Sequence, residues 1–384
     1  MKHPFISKRY WEDKSTPMGM VDELAKRFDD VIDLSLGDPD QTTHSDIINF
    51  AFEEAKKGHT KYTEFRGDAE LREAVGDYYL ELFNHKPKDE EIMISTSACL
   101  GMYLALEAIL DDGDEVIIHT PCFTPYAQQI ELARGVPIEV ATYEENDFQL
   151  KIDDLESAIT DRTKAIIINS PNNPTGAVFS YETLKSIVDI AIEKDLVIIA
   201  DEIYGAYTFN EKFISLIEFE DVRNRLIVLN SYSKDFTMTG WRVGNIIAPD
   251  FIIKTCQIIN ENVVFTAPSI SQRAALYALR HKNEIQPNAI KLYKDRVYTA
   301  YNEIKKVPWM TVLEPKGTFY LFINISKSGR TSEEVSKLLL EQARVLSIPG
   351  NAFGKCGEGY IRIACTVSKE KLVEAFERIG KIEI

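Results

Sequence analysis

The sequence predicts an α/β fold, with a large, mostly parallel sheet flanked by helices and a smaller α+β unit after it. Three observations carry this. Short β-branched runs alternate with amphipathic stretches through the middle of the chain, polar clusters follow directly on three of those runs, and the rhythm changes beyond about residue 280.

Residues 115–119, 165–169, 196–200 and 226–230 are β-branched apolar runs that end in, or lead directly into, polar residues, as expected of strands buried on both faces. Between the second and third, Leu184, Ile187, Val188 and Ala191 recur at helical spacing across 181–194, with charges opposite. Strand, helix, strand in this order implies a parallel sheet with helices on both faces. Downstream, 318–323 and 360–364 read as strands, and 332–344 and 368–379 as helices. They form a small α+β unit, joined through a long helical stretch near 280–295. The segment up to about Asp46 has few periodic features and is expected to pack on that unit. The division expected is 46–285 for the large domain, and 1–45 with 286–384 for the small one.

Composition narrows the function classes. Against 44 Lys and Arg stand 60 Asp and Glu, a net charge of −16 over 384 residues, which disfavours nucleic acid and anionic membrane as partners. A small anionic substrate stays open, because a local basic pocket can sit inside an acidic whole. The five cysteines, Cys99, Cys122, Cys256, Cys356 and Cys365, show no C-x-x-C spacing, which argues against a disulfide framework or a zinc site. The opening residues Met1 to Phe5 contain no apolar h-region, and runs such as 196–200 are too short to span a bilayer. A soluble, cytoplasmic protein is expected.

The chemistry collects where the runs end. Residues 169–176 (NSPNNPTG) follow one, 201–204 (DEIY) the next and 231–234 (SYSK) the last. Singly these read as a turn, a helix start and a surface lysine. On successive strand ends of an open parallel sheet they converge on a ligand site. Competing phosphate fingerprints fail: no G-x-G-x-x-G follows a strand, and Gly350 to Lys355 has three residues, not four, between its glycines.

These residues match a family. The stretch 231–244 (SYSKDFTMTGWRVG) resembles the cofactor-lysine motif of the class I/II aminotransferases, pyridoxal 5′-phosphate (PLP) enzymes of fold type I similar to aspartate aminotransferase. Residues 171–176, 201–204, the strand around Arg362, 36–40 (LGDPD) and Lys61-Tyr62 match the same family in the same order. The resemblance spans nearly the whole chain. It implies a large domain built on a seven-stranded, mostly parallel sheet, a PLP cofactor, an L-amino acid and a 2-oxo acid as substrates, and a homodimer with shared active sites.

The roles it implies make physical sense. Lys234 would hold PLP as an imine and, once displaced, move the substrate's α-proton, because a lysine amine loses its proton readily when desolvated. A carboxylate beside the ring nitrogen keeps it protonated; Asp201 and Glu202 compete on sequence, and the resemblance selects Asp201. Asn173 and Tyr204 would donate to the ring's phenolic oxygen. Residues 95–101 lead from a strand into a helix near 102–110, so backbone N–H groups of Ser97, Ala98 and Cys99 would face the phosphate. Here the chain departs from the family pattern, since Cys99 is a poor side-chain donor. Ser231, Ser233 and the forked guanidinium of Arg242 complete that cradle. Phe123 would stack on the ring, and Tyr62 would reach the phosphate of the neighbouring subunit. Arg362 would grip the substrate's α-carboxylate, with Asn173 beside it and Gly37 closing over it.

The alternative is a PLP-dependent C–S β-lyase of the cystathionine β-lyase type, which shares most of these motifs; Thr239 to Arg242 is closer to the transaminase form. A regulatory protein retaining the fold is disfavoured by the acidic charge and the lack of spare length. No second cation is marked by its motif for a distal carboxylate, so a neutral or aromatic donor with 2-oxoglutarate as acceptor is expected.

Overall fold

The structure is a computed structural model describing residues 3–11 and 25–384. The remaining residues of the N-terminal segment, and with them part of what was expected there, lie outside the described residues. In chain order the strands are β1 Ile32–Asp33, β2 Ile92–Ser95, β3 Glu115–Thr120, β4 Val136–Ala141, β5 Thr163–Asn169 and β6 Val197–Asp201. They continue with β7 Leu226–Ser231, β8 Gly244–Ile247, β9 Tyr320–Asn324, β10 Val345–Leu346, β11 Ile348–Pro349 and β12 Tyr360–Ala364.

Seven of these form one sheet in the order β2-β8-β7-β6-β5-β3-β4. Only β8 runs against its neighbours; every other pairing is parallel. The β-branched runs form its centre because both faces are covered. Ile166 and Ile168 of β5 enter one core cluster, Ala165 and Ile167 the other, as the two-residue period of a strand requires. Even Glu115, at the start of β3, is buried. It is tolerated there because Thr160 donates to it at 2.6 Å and Arg162 pairs with it.

The helix Tyr181–Glu193 starts where Ser180 accepts from the Thr183 N–H, and it packs Leu184, Ile187, Val188 and Ala191 on the sheet. The long helix Lys282–Ile304 leads to the second unit, a three-stranded antiparallel sheet in the order β11-β12-β9. Its core joins Phe319, Ile323, Val335 and Ile363 to Tyr293 and Val297 of that helix. Residues 32–40 pack here. β1 pairs with β10 in parallel, Leu34 is fully buried, and Arg296 holds Asp40 at 2.7 Å.

Three boundaries differ from those expected. The helix at 332–344 is α only over Ser332–Leu338 and continues as a π turn, Leu339–Ala343, ended by Arg344 at φ +56°. The strand expected from 318 begins at Tyr320, since Thr318 has φ +59°. The helix expected near 102 begins at Ser97, which places its first N–H groups at the sheet edge.

Candidate active site

A cavity of about 530 Å³ lies at the carboxyl ends of the parallel strands, between the two sheets. Thirteen of the fourteen residues singled out above line it. They are Gly37, Ser97, Ala98, Cys99, Phe123, Asn173, Asp201, Tyr204, Ser231, Ser233, Lys234, Arg242 and Arg362. Tyr62 does not; it is 79% exposed and packs edge-on against Phe265 at the surface.

Lys234 sits on the short helix Tyr232–Asp235 that caps β7. Ser231 starts that helix by accepting from the Ser233 N–H, and the two serine hydroxyls bond at 2.9 Å. The Tyr207 hydroxyl fixes the helix by donating to the Lys234 carbonyl at 3.0 Å. Lys234 Nζ itself donates to the Gly37 carbonyl at 2.5 Å. Gly37 has no room for a side chain: a Cβ there would lie 1.7 Å from the Tyr320 hydroxyl.

The two neighbouring acids part company. Asp201 ends β6 on the cavity side, accepting from the Tyr126 hydroxyl at 2.5 Å and the Ile203 N–H at 3.3 Å. Burial outweighs those bonds and pushes its carboxyl up to about 6. Glu202 turns away, and its two oxygens accept from the Ser215 hydroxyl and the Leu216 N–H.

Asn173 is held by its backbone N–H, which donates to Asn169 Oδ1 at 2.9 Å, while Asn169 donates to the Asp201 carbonyl. Tyr204 is buried and donates to the Tyr320 hydroxyl at 3.1 Å. At the other end of the cavity the helix Ser97–Ile109 presents its N-terminus. Ser97 has φ +71°, and Gly244 on β8 is pressed so near that a Cβ would meet the Ala98 nitrogen at 2.8 Å. Arg242 donates to the Thr239 carbonyl, leaving the rest of its fork to the cavity.

Arg362, on β12, is 2% exposed. It lies over the Tyr320 ring at 4.5 Å and near Phe353 at 4.9 Å, and donates to Asn173 Oδ1 and the Ser35 carbonyl. Its Nε has no partner. A buried guanidinium without a carboxylate partner is costly unless an anion arrives.

Sequence reasoning missed Tyr126, Gln129 and Tyr320, which also line the cavity. Asn169, the first residue of the cluster 169–176, lines it too, though the sequence assigned it no role of its own. Tyr126 and Tyr320 carry no signal in the sequence; each is one aromatic among many.

The donor set fits PLP: a free helix N-terminus with two serines and an arginine, an amine, and a buried carboxyl across from them. Residues 29–379 match the family described as aminotransferase class I and II. The chain belongs to that family. The aspartate aminotransferase of Pyrococcus horikoshii is 40% identical over 98% of this chain and 97% of its own length. Aromatic-amino-acid aminotransferase 2 of Thermococcus litoralis is 38% identical over 94% and 93%. Among solved structures, an aromatic aminotransferase from Pyrococcus horikoshii superposes with a TM-score of 0.90 at 38% identity, covering 94% of this chain and 98% of that one. The Thermus thermophilus aspartate aminotransferase with maleate reaches 0.93 at 29%, covering 99% and 100%. Both solved aminotransferases share this chain's fold over nearly its whole length.

The raised carboxyl of Asp201 has a measurable consequence in protein prepared without cofactor. Its folded value, about 6, lies above the ordinary carboxylate value of 3.8, so the folded state holds the extra proton between the two. Stability from this group is therefore full below about pH 4 and is lost as pH rises through about 6, by up to roughly 3 kcal/mol. Glu202 and Asp235 are displaced in the same sense. Differential scanning calorimetry of wild type against Asp201→Asn isolates the Asp201 share. The Tm difference is expected to grow in favour of the variant between pH 4 and 7; a constant difference contradicts this reading.

Proposed function

We propose that this aminotransferase works with pyridoxal 5′-phosphate bound covalently to Lys234, moving the amino group of an L-amino acid to a 2-oxo acid. The observation that carries the reading is the convergence of Lys234, Asp201 and Arg362 on one cavity from β7, β6 and β12.

When bound, the cofactor supplies an electron sink that acidifies the substrate's α-carbon. Everything else falls to the chain. Asp201, held by Tyr126, pairs with the ring nitrogen and keeps it protonated. Asn173 and Tyr204 donate to the phenolic oxygen, and Phe123 covers one face of the ring and excludes water. The N–H groups of Ser97, Ala98 and Cys99, the hydroxyls of Ser231 and Ser233, and Arg242 hold the phosphate. Arg362 and Asn173 would orient the α-carboxylate under Gly37, and Lys234 Nζ would take the proton from the α-carbon and pass it to the cofactor rather than back to that carbon.

The only cations lining the cavity among the described residues are Lys234, Arg242 and Arg362, each with a duty in this scheme. That supports a neutral or aromatic amino donor; 2-oxoglutarate is proposed as the acceptor on the family resemblance alone, since its distal carboxylate finds no further cation among these residues. The test is a half-reaction screen in which single amino acids are mixed with the PLP-loaded enzyme and its absorbance followed. Conversion to the pyridoxamine form by neutral or aromatic amino acids is expected. No conversion by any amino acid refutes amino transfer through Lys234-bound PLP, and release of pyruvate and a thiol from cystathionine marks a lyase instead.

We further infer a homodimer, with Tyr62 reaching the neighbouring subunit's phosphate site. Supporting it, Tyr62 packs on Phe265 at the surface, and Ile258 and Val263, close before Phe265 in the chain, are exposed as well. Tyr62→Phe is expected to weaken cofactor affinity about tenfold with dimerisation intact, read by equilibrium dialysis and sedimentation. The two domains are taken as 46–285 and 1–45 with 286–384, separated at the start of the Lys282–Ile304 helix. A cytoplasmic location is supported by the five free cysteines. Among the described residues no helix is long and apolar enough to cross a membrane.

A further inference from the structure

Behind Lys234, on the side away from the main cavity, three buried polar atoms have no partner: Asp235 Oδ1, the Tyr232 hydroxyl and Asn245 Nδ2. All three residues are 3% exposed. They line one small cavity of about 10 Å³, the room a single water centre needs. Asp235 also borders a wider cavity of about 250 Å³, but Tyr232 and Asn245 do not, so the three can meet only in the small one.

Unpartnered groups in such a setting are costly one by one and are brought together only if something satisfies them jointly. Their chemistry specifies what. Asn245 offers an N–H, Asp235 an acceptor, and Tyr232 a hydroxyl that can do either. A water accepts from the first, donates to the second and exchanges with the third. A metal cation would be repelled by the amide N–H.

The remaining Asp235 oxygen has only a long contact, 3.5 Å, from Gln286. Burial alone pushes this carboxyl up to about 8. Its titratable neighbours are Tyr78 and Tyr79 from the Ala69–Phe83 helix, Tyr207, Tyr232 and, across the wider cavity, Glu202 and Lys212. Lys212, the one cation among them, is exposed and paired with Glu218 at 3.3 Å, so it does not hold the acid ionised.

We propose that Asp235 is a positioning residue for Lys234, acting through one internal water shared with Tyr232 of its own helix and Asn245 of β8. The water ties the four-residue helix to the sheet from behind, while Ser231 and the Tyr207 hydroxyl hold it from the front. A helix this short has no ladder of its own to keep the lysine aimed. Asp235 touches neither substrate nor cofactor. The inference rests on the reading that Lys234 carries the cofactor.

The test compares full-length wild type with Asp235→Asn, Asp235→Leu and Tyr232→Phe, each loaded with PLP. A high-resolution crystal structure of wild type is expected to show one water within hydrogen-bond reach of all three atoms; density showing none there overturns the proposal. Asp235→Leu is expected to move the pH midpoint of the Lys234-bound cofactor's absorbance by about half a pH unit or more. It should also lower kcat about fivefold or more with KM within twofold, while Asp235→Asn stays within twofold of wild type. A residue that merely packs would leave the midpoint where it is. An unmoved midpoint in Asp235→Leu overturns the proposal, and so does equal damage in Asp235→Asn, whose amide keeps the acceptor. If Asp235→Leu does not fold, Tyr232→Phe decides on the same midpoint. The wild-type spectrum separates the two claims: no Lys234-dependent absorbance sinks the cofactor reading, and the water density then decides this one.

Discussion

Lys234→Ala is expected to fold, dimerise and bind PLP non-covalently, yet to turn over at least about 10²–10⁴-fold more slowly than wild type. That range is what a positioned general base contributes by itself, and loss of the covalent attachment adds to it. The rest of the cradle does not depend on this side chain. Asp201 is held by Tyr126, Asn173 by Asn169, and the serines by each other. Single-turnover kinetics should therefore show kcat collapsing while cofactor affinity changes little. Small primary amines added to the medium are expected to restore part of the rate, since they supply a base where Lys234 Nζ was. Activity within tenfold of wild type would remove Lys234 from the chemistry.

Arg362→Lys has the second-largest expected effect. Lysine keeps the charge but loses the fork, and it cannot at once reach Asn173 Oδ1, the Ser35 carbonyl and a carboxylate. Removing one member of a buried, hydrogen-bonded charge contact costs about 2–5 kcal/mol, so kcat/KM should fall about 10²–10³-fold, chiefly through KM. A substrate analogue lacking the α-carboxylate is the control. Its already poor rate should be the same in both proteins, whereas a general defect would slow it as much as the true substrate. Some loss of stability accompanies this, about 1–3 kcal/mol, from the acceptors left bare.

How much of this could be read from the chain depended on whether a local pattern recorded it. The central strands could, because burial on both faces demands uninterrupted β-branched runs such as those of β5 and β6. The reversed strand β8 could not be separated from the motif before it, since direction leaves no mark in composition. Asp201 and Glu202 are equivalent as letters. They differ because Asp201 closes a strand while Glu202 is the first residue free to turn, and Ser215 and Leu216 take its oxygens. Tyr126 bonds to Asp201 across 75 residues of chain, a pairing that only the folded sheet makes. Cys99 was expected to contribute backbone alone, and its position at the helix N-terminus is compatible with that. Tyr62 stands apart from the cavity that gathers the other site residues, exposed at the surface against Phe265.

Tyr204 follows a strand of the large sheet, and Tyr320 opens a strand of the small one, yet their hydroxyls meet at 3.1 Å. A tilt of either sheet against the other therefore stretches or relaxes one phenol–phenol contact. Tyr204 has one proton to give, so serving the cofactor's ring oxygen requires Tyr320 to turn round and donate to it instead. The small sheet's tyrosine would then set the donor strength of the large sheet's.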